Sequence, residues 1–253
     1  MTPEPFALDR QVEIIAHRGF SARAPENTLV ALALGVSAGA DAVEFDLHAT
    51  RDGVPVLLHD DTLDRTTDHS GPVAELTRAE LTGIDAGSWF SPEYAGEPVP
   101  SVQSAFDLLG PSGVRIYPEV KRTSRPEELH RVVEAAEAAG LLERTVFISM
   151  DWDALDTIRS VTPRALIGYI VERPTRAEEA IERATGDPEA LVDFDARILL
   201  ALPGYATRAR ERDVPLATWT VNSVAQAERI LALGVPRITT NEVTDLVAWR
   251  DTL

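Results

Sequence analysis

The chain has 253 residues, a hydrophobic fraction of 44% and a net charge of −17, enough apolar material for one sizeable core. So acidic a composition argues against nucleic acid or an anionic membrane as partner, since both call for basic patches. The absence of cysteine removes disulfides, thiolate metal sites and cysteine nucleophiles.

Short apolar, β-branched runs alternate with helical patterns along the chain. The first run, 12–17, ends in "AHRGF", where His17 and Arg18 interrupt a core-like strand before Gly19 bends it. A helical pattern at 26–38 follows, then a run at 42–48 and a short strand at 54–58 behind an Asp-Gly turn. From His59 to Pro100 the connection is far longer than ordinary loops. It is expected to fold as an excursion over the mouth of the domain, with "TRAEL" forming one helical turn or two. Further runs lie at 114–121, 145–149, 165–171, 190–194, 215–221 and 236–240. Helices are expected at 126–139, 152–160, 175–185, 203–212, 222–233 and 243–250. The pattern at 126–139 puts Leu129, Val132, Val133 and Ala136 on one face and stops at Gly140, and 222–233 opens on Asn222 and Ser223 as caps.

Eight strand-plus-helix units in a chain of this length fit an α/β fold, the (β/α)8 TIM barrel. One catalytic domain is expected over 1–253, with 59–100 inserted as a cap over the C-terminal mouth. A doubly wound sheet is the rival, but no glycine-rich phosphate turn follows an early strand. No stretch is apolar for long enough to span a bilayer, and the N-terminal residues lack the features of a signal peptide, so a cytoplasmic enzyme is expected.

The chemistry concentrates in two runs. In "AVEFDLHAT", Val43, Phe45 and Leu47 alternate with Glu44, Asp46 and His48, so period two sends the apolar set to the helices and the acids inward. In "VRIYPEVK", Arg115, Tyr117, Glu119 and Lys121 share the inward parity, and Lys121 is the chain's only lysine. Glu44, Asp46 and Glu119 then converge near one mouth, where they repel unless a proton or cation joins them. All-oxygen ligation points to Mg²⁺, Ca²⁺ or Mn²⁺; a metal-free network with Arg18, Arg115 and Lys121 is the alternative. His17 and His59, each at a strand end, suit removing a proton at one atom and donating it at another. Arg18 and Lys121 suit a phosphate. Glu26 and Asn27 either orient Arg18 or begin a helix, Asp60 either orients His59 or serves a turn, and Trp89 and Phe90 are expected to anchor the excursion. Together these groups read as phosphoryl-transfer or phosphodiester chemistry.

The same residues resemble the glycerophosphodiester phosphodiesterase family. "AHRGFSARAPENTLVAL" resembles its opening motif, and "AVEFDLHATRDGVPVLLHDDTLDRTTDHSG" its second block; "IDAGSWF", "EVK" and "ATWTVN" match later stations. The resemblance implies a TIM barrel that hydrolyses glycerophosphodiesters, small molecules of lipid and glycerol metabolism, to glycerol 3-phosphate and an alcohol. It implies His17 and His59 as the acid/base pair, Glu44, Asp46 and Glu119 as metal ligands, Arg18 and Lys121 as phosphate binders, and Trp219 lining the pocket against glycerol. It also implies attack by the substrate's own hydroxyl, with a cyclic phosphate then opened by water. Pro118 and Asn241 depart from the pattern, which more often has an aliphatic residue and an aspartate there. Nearby alternatives are a phospholipase D-like barrel acting on lysophospholipid or sphingomyelin-type substrates, a Schiff-base lyase using Lys121, and a barrel that only binds ligand.

Overall fold

In the computed structural model, which describes residues 5–8, 10–121 and 125–253, the β-branched runs become nine strands. They are β1 (Glu13–Ala16), β2 (Ala42–Ala49), β3 (Pro55–Leu57), β4 (Arg115–Val120), β5 (Val146–Ser149), β6 (Leu166–Val171), β7 (Ala190–Asp195), β8 (Leu216–Trp219) and β9 (Arg237–Thr240). All but β3 pair in parallel, and β1 is bonded to both β9 and β2, so eight strands close into a barrel. β3 adds antiparallel to the outer end of β2. The α/β barrel expected from the sequence is the fold observed.

Helices wrap the outside: α1 (Leu29–Ser37), α2 (Val102–Leu109), α3 (Pro126–Ala138), α4 (Trp152–Val161), α5 (Ala177–Ala184), α6 (Ala196–Ala201), α7 (Gly204–Glu211), α8 (Val224–Ala232) and α9 (Val243–Arg250). The main core lies between them and the outward faces of the strands, where Val43, Phe45, Leu47, Ile116 and Val120 are buried as their parity requires. A smaller core fills the barrel itself with Ile15, Ala42, Tyr117, Val146, Leu166 and Leu191. Among the described residues no helix is long and apolar enough to cross a membrane.

Two helices were not expected. The α2 signal was present: Ser101 caps the helix through Oγ onto the Ser104 N–H at 3.2 Å, and Val102, Ala105, Phe106 and Leu109 form a buried stripe. α6 is only six residues, capped by Asp195, too short for periodicity to register. The "TRAEL" segment makes one turn, closed by the Leu81 N–H on the Thr77 carbonyl at 3.1 Å. Residues of the 59–100 stretch, with Val56 and Leu58 beside it, bury a third cluster that includes Leu63, Val73, Leu81 and Val99. Trp89 does not anchor the stretch as expected: it stands 39% exposed, its ring edge on Phe90 at 5.7 Å.

Pro118 sits inside β4 opposite Phe45 of β2, an awkward place for a residue without an N–H. The odd-numbered residues of β4 aim their donors at the β2 side: the Arg115 N–H meets the Asp41 carbonyl and the Lys121 N–H the Leu47 carbonyl. The donor lost at Pro118 therefore faces β5. There the ladder is thin, with Glu119 opposite Ile148 and an isolated bridge from Ile116 to Thr145 just before β5. The β2 side, which holds the acidic residues in register, keeps its full pairing from Ala42 to Leu47.

Candidate active site

Neighbouring strands are staggered, so inward side chains stack in tiers. Ile15, Tyr117, Gly168 and Ala217 form an inert floor. Gly168 is crowded by its flanking strands: a Cβ there would lie 2.8 Å from both Ile148 Cγ2 and Leu191 Cδ1. The tier above carries Glu44, Ile148, Asp193 and Thr239, and the next His17, Glu119, Ile170 and Trp219; all eight line one pocket at the C-terminal mouth. Arg18, His59 and Lys121 close its rim. Every site residue expected from the sequence faces this pocket or, for Asp46, sits buried at its wall.

The turn after β1 explains "HRGF". The His17 N–H extends the β1 ladder by bonding the Thr240 carbonyl at 2.9 Å, which holds the imidazole over the barrel. Arg18 then adopts φ 54° and Gly19 φ 76°. Glycine is required there, because a Cβ would fall 2.3 Å from the carbonyl carbon of Ala31 in α1. The reversal aims the Arg18 N–H at Glu44 Oε2 (2.8 Å) and its guanidinium at Asp46 Oδ2 (Nε, 3.0 Å) and Glu26 Oε1 (Nη1, 2.7 Å).

The carboxylates of Glu44, Asp46 and Glu119 are buried, with one oxygen of each lying within 4.8 Å of the others. Asp46 faces Glu119 directly across the β2–β4 ladder. Lys121 Nζ bridges them, 2.8 Å from Asp46 Oδ1 and 2.6 Å from Glu119 Oε1. Burial opposes charge on all of these groups, and the neighbours decide how it is distributed. Lys121 and Arg18 overcome burial at Asp46 and hold it far below the usual carboxylate range. Glu44 is pushed well above that range by burial and by the charges of Asp46 and Glu119. Glu119 rises to about 7 by burial and Asp46, with Lys121 opposing. For Lys121 the two carboxylates outweigh burial and raise its pKa, so the amine stays charged and is a poor Schiff-base nucleophile. Glu44 Oε1 is buried with no hydrogen-bond partner among the described residues. A vacant carboxylate oxygen beside two more acids fits a hard divalent cation in chemistry and in placement.

The histidines are held by different partners. His17 Nδ1 lies 2.6 Å from Asn241 Oδ1, an oxygen that also accepts from Ser21 Oγ at 3.0 Å, so Nδ1 carries the proton. The bare Nε2 faces Glu44 Oε2 at 3.9 Å. Burial, with Arg18 alongside, lowers the His17 pKa to about 4. His59 follows β3, which the Leu58 N–H ties to the Asp46 carbonyl at 3.1 Å. Its Nδ1 bonds Asp60 Oδ1 at 2.6 Å, and Arg65 grips Asp60 Oδ2 at 2.7 Å and Glu26 Oε1 at 2.8 Å. One chain of ion pairs thus joins His59, Asp60, Arg65, Glu26 and Arg18. His48, at the end of β2, backs His59 by contacting its carbonyl at 3.1 Å.

Glu26 and Asn27 orient the site, and the helix start is Thr28, whose Oγ1 accepts the Ala31 N–H at 3.3 Å. Asn27, at φ 59°, exchanges two bonds with Asp46: its Nδ2 donates to Oδ2 (2.8 Å), and its Oδ1 accepts the Asp46 N–H (3.0 Å). Arg115 lies at the opposite end of the barrel beside Glu13 and Arg237, a counter-charge remote from the pocket. Asp193, buried in the pocket wall, was missed by the sequence reading. Its signal is the parity seen in β2, since "LVDFD" alternates in the same way.

A TIM barrel that sets three carboxylates, two imidazoles and two fixed cations around one C-terminal pocket belongs with the barrel phosphodiesterases. Residues 17–245 match the Glycerophosphoryl diester phosphodiesterase family, and the chain belongs to it. It is 29% identical to a glycerophosphodiester phosphodiesterase of Caldanaerobacter subterraneus subsp. tengcongensis, covering 92% of this chain and 96% of that protein. It is 28% identical to one of Bacillus subtilis over 90% of this chain and 82% of the other. Among solved structures, a phosphodiesterase of Oleispira antarctica in complex with the product sn-glycerol-3-phosphate superposes with a TM-score of 0.86 at 27% identity, covering 94% and 96% of the two chains.

Proposed function

We propose that the chain hydrolyses glycerophosphodiesters to sn-glycerol 3-phosphate and an alcohol, with a divalent cation held by Glu44, Asp46 and Glu119. The reading is carried by one observation: a cluster of buried carboxylates with a vacant oxygen, set between two histidines whose Nδ1 partners differ. Mg²⁺ or Ca²⁺ suits the oxygen donors, and such a cation, when bound, polarises the phosphoryl group and acidifies a substrate hydroxyl. Arg18 and Lys121 hold the phosphate, Trp219 lines the glycerol side, and residues 59–100 cap the mouth. The rival acting on lysophospholipids would need an apolar rim, and the excursion offers Trp89 as its only large hydrophobic residue exposed among those described.

The histidine partners support distinct roles. His17 has a neutral amide on Nδ1 and a pKa near 4, so at neutral pH its Nε2 is a free base. It takes the proton of the glycerol hydroxyl next to the phosphate. That oxygen forms a bond to phosphorus as the bond to the departing alcohol breaks. His59, oriented by the Asp60 carboxylate on its Nδ1, gives the alcohol its proton. In the second step His59 takes a proton from water, the water oxygen bonds to phosphorus as the P–O bond formed in the first step breaks, and His17 returns its proton to the glycerol oxygen so released.

A release assay over glycerophosphocholine, glycerophosphoethanolamine and glycerophosphoglycerol, with and without added Mg²⁺ or Ca²⁺, is expected to yield sn-glycerol 3-phosphate from each. Release of phosphocholine in place of choline would overturn the reaction, since the wrong P–O bond would have been cut. A second expectation concerns Asn241. In Asn241→Asp a carboxylate faces Nδ1 and favours the imidazolium, which raises the His17 pKa. Activity that depends on the unprotonated base is then lost at higher pH, so the acid limb of kcat/KM moves up by about one unit or more. An unmoved limb would exclude His17 as the base.

A further inference from the structure

One polar group in the pocket takes part in none of these steps. Asp193 projects inward from β7 at 3% exposure, in the same tier as Glu44 and on the opposite side of the barrel. Its Oδ1 is buried and has no hydrogen-bond partner among the described residues. Interiors seldom keep such an oxygen unless a ligand or a water meets it. A second orphan lies one tier above on the neighbouring strand. Trp219 Nε1 is buried without an acceptor among the described residues, two residues beyond Ala217, which registers with Asp193. Ile148 and Ile170 supply apolar wall beside them. An acceptor and a donor set in an apolar recess match a small polyol. The phosphate belongs with the fixed cations Arg18 and Lys121 at the rim.

We propose that Asp193 is a specificity-determining residue that hydrogen-bonds the terminal hydroxyl of the glycerol moiety and seats it deep in the barrel. The inference rests on the glycerophosphodiester reading and names the part of the substrate that the recess takes. The departing alcohol lies elsewhere. A groove lined by Lys121, Met150, Asp151 and Asp153 opens from Glu119 toward solvent and accommodates alcohols of different size. The deep recess admits the one portion common to all the substrates. A site built around a hydroxyl rejects the analogue that lacks it, because its own buried polar groups are then left unpaired.

The test compares glycerophosphocholine with the choline phosphodiester of propane-1,2-diol, which keeps the attacking hydroxyl and lacks the terminal one. With Mg²⁺ or Ca²⁺ added, the parent enzyme is expected to favour the glycerol ester by about 100-fold in kcat/KM. In Asp193→Leu the preference falls to within about threefold, and in Asp193→Asn, which retains an amide oxygen, most of it returns. Calorimetric titration with sn-glycerol 3-phosphate and with propane-1,2-diol phosphate makes the same comparison without turnover. Equal treatment of the two diols by the parent in rate and in affinity would overturn the assignment without any variant. So would a loss in Asp193→Leu that is the same for both esters, which would make Asp193 a structural residue. Tighter binding of glycerol 3-phosphate alongside turnover of neither ester would remove the hydrolysis reading and leave the Asp193 contact standing.

Discussion

Replacing His17 by alanine is expected to cut kcat by about 10²–10⁴-fold on every glycerophosphodiester, whatever alcohol departs. The imidazole removed is the one whose Nε2 is free to take a proton, and no other neutral base shares its side of the pocket: Glu44 is 3.9 Å away and committed to the cation cluster. His59→Ala is expected to cost as much with choline or ethanolamine as the leaving group. Its defect should shrink when the departing group is p-nitrophenol, which leaves without being protonated. The two variants are thus told apart by leaving-group dependence, with steady-state kinetics on paired esters as the measurement. The opposite pattern would exchange the roles of the two histidines. Near-parental rates in both variants would remove them from the reaction. Circular dichroism should show both folded, since neither ring is part of a hydrophobic cluster.

The barrel was legible because its strands are short and alternate strictly. Once Val43, Phe45 and Leu47 are assigned outward, Glu44 and Asp46 have nowhere to go but in, and β4 repeats the pattern with Tyr117 and Glu119. The reading of α2 failed for a different reason. It lies directly after a long excursion and is only eight residues long, so its Ser101 cap and apolar stripe read as the tail of that connection. What no local pattern could supply is contact across the chain. Asn241 meets His17 from 224 positions away, and Arg65 meets Glu26 from 39 away. The residues that choose a tautomer or hold a guanidinium are set by barrel closure, so a single sequence names the reacting groups more readily than those that hold them.

Chelation should reduce turnover by at least about 10³-fold, with recovery on adding Mg²⁺ or Ca²⁺, because the positive charge left at the cluster lies on the Lys121 and Arg18 side. The same cluster makes a prediction for stability that needs no substrate. Glu119 has its folded-state pKa raised to about 7 from 4.5, and that of Glu44 is raised as well. For such groups the unfolded chain loses its protons first, so the metal-free fold loses stability as pH rises from about 4.5 through 7. His17, whose pKa is lowered to about 4, works the other way up to about pH 6.5, so thermal unfolding should show the midpoint falling in chelator between about pH 6.5 and 8. Saturating divalent ion should flatten that fall, adding about 2.7 kcal/mol at a hundredfold excess over Kd. Glu119→Gln carries one acid fewer, so its metal-free midpoint should depend less on pH, and its metal affinity should drop by about 100-fold or more. The substitution removes the charge from the 2.6 Å contact with Lys121, while Asp46 still pairs the amine. An ion that leaves the parent's midpoint unchanged at pH 8, together with full turnover after rigorous chelation, would show that the acids are neutralised by Arg18 and Lys121 alone.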